Sequence, residues 1–297
     1  MKTISGSIIA LLLAFASPPL AQDSAFAADG KLGVVAAENF YGDVARQIGG
    51  NGVDVVSIMN NPDQDPHLFE TTPGVVRQIA DARIVIVNGA DYDPWMEKLL
   101  AAAPRPGRVV VNAAELMHRK SGENPHLWYD PATMPAVAKA LAAAFAAADP
   151  AHKSDYDARL ADFVASLKPL NAKIAAVRDK YAGSAVTASE PVFGYMANAL
   201  NLKMRNEKFQ LAIMNDTEPS ARDVAAFEKD LKQQKVKVLF YNKQASSKIV
   251  QHLVELAKQA KVPVVGITET MPSGLSFQDW MLGQLNETEK ALAGPTS

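Results

Sequence analysis

The chain has 297 residues, 48% of them hydrophobic, with no cysteine and a formal net charge of -2. That is enough apolar material for one large or two medium cores, and the balanced charge offers no basic surface for nucleic acid. Without thiolates, any metal site has to be built from His, Asp and Glu.

The first residues read as an export signal. Lys2 precedes the apolar run 8–16, and small residues follow with A-x-A-like cleavage positions after Ala21 or Ala27. The run is too short to span a bilayer. A signal peptide over 1–27 and a free periplasmic mature chain are expected. The missing cysteine leaves no residue for a lipid at the cleavage site.

Strands and helices then alternate. Strands are expected at 32–37, 53–59, 83–89 and 108–114, with helices at 40–49, 72–82 and 94–103 between them. Residues 151–182 form one long, charge-rich helical pattern, roughly 45 Å at 1.5 Å per residue, ending at Gly183 with Pro169 as a kink point. After it the alternation resumes, with strands at 184–189, 209–214, 236–241 and 262–268 and helices at 191–201, 219–234, 246–260 and 277–292. The expected fold class is α/β. Two lobes, 28–150 and 184–297, each carry a parallel-rich sheet of about four strands flanked by helices, and one long backbone helix over 151–183 joins them. Ligands of such sheets bind outside the carboxyl ends of the strands, so the cleft between the lobes is the place to search.

Two of the five histidines share a local frame, His67 in "DPHLFE" and His126 in "NPHLWYDP". The proline before each fixes its own φ and pushes the residue before it towards an extended conformation. Stiffly presented imidazoles suit metal ligation. In the second half Glu190 and Glu269 each follow an apolar strand, where a buried carboxylate needs a partner. Two imidazoles and two carboxylates would make an N2O2 cage whose ion cancels the acids' charge. Taken singly, each is more often a surface histidine or a solvated acid than a ligand, and it is their joint position, two per half and all at strand ends, that points to a metal. His118, His152 and His252 sit in polar or charged stretches and read as surface residues. Asp279 is a weaker candidate because its helix start predicts a solvent-facing role. No G-x-S-x-G, phosphate loop or H-E-x-x-H is present. An exported metallohydrolase would keep one coordination position open, whereas four protein donors describe a closed site suited to capture and delivery. An adhesin-like surface protein is the third reading.

The segments "DPHLFE", "NPHLWYDP", "EPVFGYMANALNL" and "EPSARDVAAFEKDLKQQKVKVLFY" resemble the metal-specific solute-binding proteins of bacterial ABC importers, over about residues 31–292. The resemblance implies a monomeric, non-enzymatic periplasmic protein that captures one Mn²⁺ or Zn²⁺ between its lobes and hands it to a membrane permease. By motif, the family's ligands fall on His67, His126, Glu190 and Glu269. Asp is the more usual residue at the last position, and an acid often stands where this chain has Asn242. The zinc branch commonly adds a third His and a His-rich loop, and neither is present here. The ligand set therefore resembles the manganese type, with zinc kept open because any such site binds Zn²⁺ more tightly.

Overall fold

The computed structural model describes residues 30–61, 69, 71–244 and 247–294. The expected signal peptide and His67 lie outside the described residues. Among those that are described, no helix is long and apolar enough to cross a membrane.

The first lobe is built on β1 (Leu32–Glu38), β2 (Val53–Met59), β3 (Ile84–Val87) and β4 (Val109–Asn112). They form a parallel sheet in the order β2-β1-β3-β4. Side chains of successive residues project to opposite faces of a strand, and both faces of this sheet are apolar. Val34, Ala36, Ile84 and Ile86 join one core, while Val35, Ala37, Val85 and Val87 join the core on the other side. Helices α1 (Asn39–Gly49), α2 (Pro73–Asp81) and α3 (Pro94–Ala102) form the crossovers. Helix α1 stops where Gly50 takes φ 54°, a conformation that costs glycine little. Beyond the short α4 (Ala113–Leu116) lies α5 (Thr133–Ala148), which packs on α1.

The long spine is present, with its break two residues before the proline. It comprises α6 (Lys153–Ser166) and α7 (Lys168–Tyr181), separated at Leu167. Pro169 sits in the first turn of α7, where its missing N–H would otherwise have continued the ladder of α6.

The second lobe repeats the plan. Its strands are β5 (Ala185–Ala188), β6 (Lys203–Arg205), β7 (Leu239–Asn242) and β8 (Val264–Ile267), parallel and ordered β6-β5-β7-β8. One expected strand is wrong. Residues 209–214 belong to α9 (Glu207–Met214), and the edge strand is the short, largely polar β6 before it. A six-residue apolar run does not separate a strand from a buried helical turn. Here Asn206 turns the chain with φ 61° and Phe209 packs on Phe227 at 4.9 Å between ring centroids. The remaining helices are α8 (Gly194–Ala199), α10 (Ala221–Lys232), α11 (Lys248–Gln259) and α12 (Phe277–Ala293).

The lobes share an apolar core. Phe40 meets Trp280 at 5.8 Å between ring centroids, and Tyr129 meets Phe193 at 5.5 Å and Trp280 at 5.8 Å. Asn39 adds a two-way clasp, donating to Met271 O at 2.7 Å and accepting from Met271 N at 3.0 Å. A large apolar contact resists relative domain motion.

Candidate metal centre

Carboxyl ends of strands from both sheets converge on one buried cluster. His126 lies on the loop after α4, Glu190 two residues past β5, and Glu269 two residues past β8. Their exposures are 0%, 3% and 0%, and one donor atom from each lies within 4.8 Å of the others.

The His126 ring is aimed by its neighbours. Asn124 Nδ2 donates to Pro191 O at 2.8 Å, which turns Asn124 Oδ1 back towards the histidine. That oxygen accepts from the His126 backbone N at 3.1 Å and lies 2.6 Å from Nδ1. Nδ1 therefore donates to Asn124 Oδ1, and Nε2 is the ring nitrogen that faces the cluster. Nε2 is buried, makes no hydrogen bond, and stands 3.4 Å from Glu269 Oε2. A ring nitrogen and a carboxylate oxygen at that separation can share one cation. Two donors each about 2.1 Å from a tetrahedral ion lie roughly 3.4 Å apart.

The carboxylates are strapped from behind. Asn242, the last residue of β7, donates from Nδ2 to Glu190 Oε2 at 2.8 Å and to Glu269 Oε1. Its own backbone N donates to Ser189 Oγ at 3.1 Å. Gln244 Oε1 accepts from the backbone N of Glu269 at 2.6 Å and of Thr270 at 3.2 Å, fixing the turn that presents Glu269. From the first lobe, Tyr92 donates its hydroxyl to Glu269 Oε2 at 3.0 Å, and Tyr129 donates to Thr268 O at 2.8 Å. Burial first, and then the charge of Glu269, hold both phenols well above their ordinary range, so both stay protonated donors. Trp128 backs the imidazole edge-on at 5.3 Å.

Three of the four residues singled out in the sequence are thus brought together, and the fourth, His67, lies outside the described residues. Asp279 is elsewhere: it is exposed and accepts from Ser276 Oγ at 2.7 Å in the cap of α12. His118 is exposed, and His152 and His252 pair with Asp149 and Glu228 at the surface. Tyr92 and Gln244 escaped the sequence reading, since neither carries a motif that announces a role.

Residues 34–291 match the family described as "ZnuA: Zinc-uptake complex component A periplasmic". The chain belongs to this family. Among curated relatives, a putative metal-binding protein of Treponema pallidum is 25% identical over 285 residues, covering 88% of this chain and 87% of that protein. The manganese-binding lipoprotein MntA of Bacillus subtilis is 26% identical over 267 residues, covering 86% and 85%. The solved periplasmic zinc-binding protein TroA of Treponema pallidum has the same fold, with a TM-score of 0.75 at 21% identity over 89% of this chain and 99% of that one.

Proposed function

We propose that this member of the zinc-uptake family captures one divalent transition-metal ion between its lobes and delivers it to an ABC-type permease in the membrane. The observation that carries the reading is the buried, unbonded Nε2 of His126 facing Glu269 at 3.4 Å with Glu190 beside them. Protein donors from both lobes describe a site that holds an ion without turnover, and the metallohydrolase alternative finds no support in the family match. His67, by its Pro-His motif, is proposed as the fourth ligand. Both half-sites come from one chain, so a monomer suffices. Family membership favours the periplasm as its location, reached through the signal over 1–27.

The names of relatives include both zinc and manganese binders, and the donor set supports the same pair. Carboxylates suit the harder Mn²⁺, while nitrogen donors and the Irving–Williams order favour Zn²⁺. Titration of metal-free protein is expected to show one ion per chain, with Zn²⁺ displacing Mn²⁺ in competition. Failure to take up either ion overturns the reading.

Asn124 offers a finer test. Asn124→Ala frees His126 Nδ1 and removes the bond to Pro191, and metal affinity is expected to fall about 10–100-fold, as for other lost partners of ligating histidines. Asn124→Asp keeps the acceptor and should retain more affinity than Asn124→Ala. Equal affinity in the two variants, measured by competition with a chromophoric chelator, would show that the Nδ1 contact is irrelevant.

A further inference from the structure

Glu38, the last residue of β1, is 0% exposed, and neither of its carboxyl oxygens has a hydrogen-bond partner. Buried polar groups without partners are rare enough to require a reason, and an ionised carboxylate in that state is strongly unfavourable.

The repeated strand order shows what is missing. Both sheets run second, first, third, fourth, so the end of β1 in one lobe corresponds to the end of β5 in the other, and β3 to β7. In the second lobe Asn242, at the end of β7, donates to Glu190 just past β5. In the first lobe Asn88, just past β3, directs its amide elsewhere. It donates to Gly89 O at 2.9 Å and Pro125 O at 2.8 Å, and accepts from Tyr41 OH at 2.7 Å. Glu38 thus has the place of a strapped carboxylate without the strap.

Among the described residues, its titratable surroundings offer no cation. From α1 comes Tyr41, whose hydroxyl is committed to Asn88. From the turn before α3 come Tyr92 and Asp93, and Asp93 is committed to the backbone N–H of Asn88 and Gly89 at 2.7 and 2.8 Å. The strand partner on β2 is the buried Met59. Across the cleft stand Glu269 and Glu190, whose charges act on the Tyr92 phenol. Burial, and then the neighbouring Asp93, hold the Glu38 carboxyl well above the usual range. In the metal-free chain it is therefore a neutral acid.

We propose that Glu38 is a further determinant of metal binding: a buried carboxylic acid that loses its proton when a dication is captured at Glu269, adding a third negative charge to the ion's surroundings. The O–H bond breaks heterolytically, the proton leaves to water, and the electron pair stays on Glu38. The ion's field inverts the local preference for the neutral form, and Tyr92, hydrogen-bonded to Glu269 at 3.0 Å, is close enough to both acids to feel each of them. Glu38 lies outside the group of described residues, His126, Glu190 and Glu269, whose donor atoms all come within 4.8 Å of one another, so it acts through the field and not as a ligand. This inference rests on the metal-capture reading.

The test is calorimetric titration of the metal-free full chain with Zn²⁺ in buffers of different ionisation enthalpy, which counts protons released per ion. Glu38→Gln, isosteric and neutral, is expected to bind one ion while releasing about one proton fewer. Its affinity should also respond less to pH, by about tenfold per pH unit for the proton removed. In the infrared, the metal-free wild type should show a protonated-carboxyl stretch that disappears when Zn²⁺ is added and is absent from the variant. If the wild type binds no metal, the capture reading fails. If it binds and the variant releases the same number of protons, only the role of Glu38 fails. Should the variant not fold, persistence of the carboxyl stretch in Zn²⁺-loaded wild type overturns the proposal by itself.

Discussion

His126→Ala is expected to weaken metal binding by more than the roughly 10–100-fold that follows loss of an outer partner of a ligating histidine. Among the described residues, the substitution removes the buried nitrogen that faces the carboxylates with no bond of its own. It also leaves Glu269 Oε2, 3.4 Å away, with one fewer group to share an ion. Glu190→Gln is expected to act in the same direction for a different reason: it keeps the shape of the side chain and deletes half of the carboxylate charge that attracts a dication. Affinity would be read by competition against a chelator, with thermal unfolding of the metal-free proteins as the control. His126 packs against Trp128 in a fully buried place, so the alanine variant will also lose stability, whereas the glutamine variant should lose little. Near-native affinity in both variants would move the site elsewhere. Weak binding in both, with only the alanine variant destabilised, would separate ligation from packing.

The sequence displayed the first lobe plainly because both faces of its sheet are buried. Runs such as Val34–Ala37 and Ile84–Val87 are apolar throughout and bounded by helix signals. It misled at 209–214, where an apolar run buries one side of a helix, and at β6, where Lys203 and Arg205 are exposed at a sheet edge and carry no apolar signature. The caps show the same limit. Ser220 caps α10 by accepting from Asp223 N at 3.2 Å, and nothing local distinguishes it from the other capping residue types just before it, Asp216 and Thr217. At the site, Glu190 and Glu269 were legible because they stand just past strand ends, and His126 because it shares the Pro-His frame of "NPHLWYDP". Asn124, Asn242, Tyr92 and Gln244 act through long-range contacts with the loops of other elements. Such contacts depend on how the two sheets face each other, and no local pattern records that. Glu38 was hidden for a related reason: one acid at a strand end looks like any other until its lack of partners is seen.

Asn242→Ala should destabilise the metal-free protein more than the loaded one. Asn242 Nδ2 is a donor shared by Glu190 and Glu269, all three residues being 3% exposed or less. A hydrogen bond to a charged group contributes about 1.5–3 kcal/mol, so losing two is expected to cost about 3 kcal/mol or more of unfolding free energy in the metal-free state. When an ion is present its charge compensates the same two carboxylates, and the amide matters less. The gap between metal-free and Zn²⁺-loaded melting temperatures should therefore widen in the variant. A narrower gap would mean that the amide chiefly orients the carboxylates for the ion, since loss of orientation weakens the loaded state instead. Asn242→Asp sharpens the distinction. A third carboxylate beside two others must share protons with them, which raises the apparent pKa of the group above that of the unfolded chain. Over that interval the folded state binds more protons than the unfolded one, so metal-free stability falls as pH rises from the normal carboxylate range towards neutrality. Zn²⁺ should flatten this slope by replacing the shared proton with a metal ion. A variant whose metal-free stability is independent of pH across that range would show that the residue at 242 does not face the two glutamates.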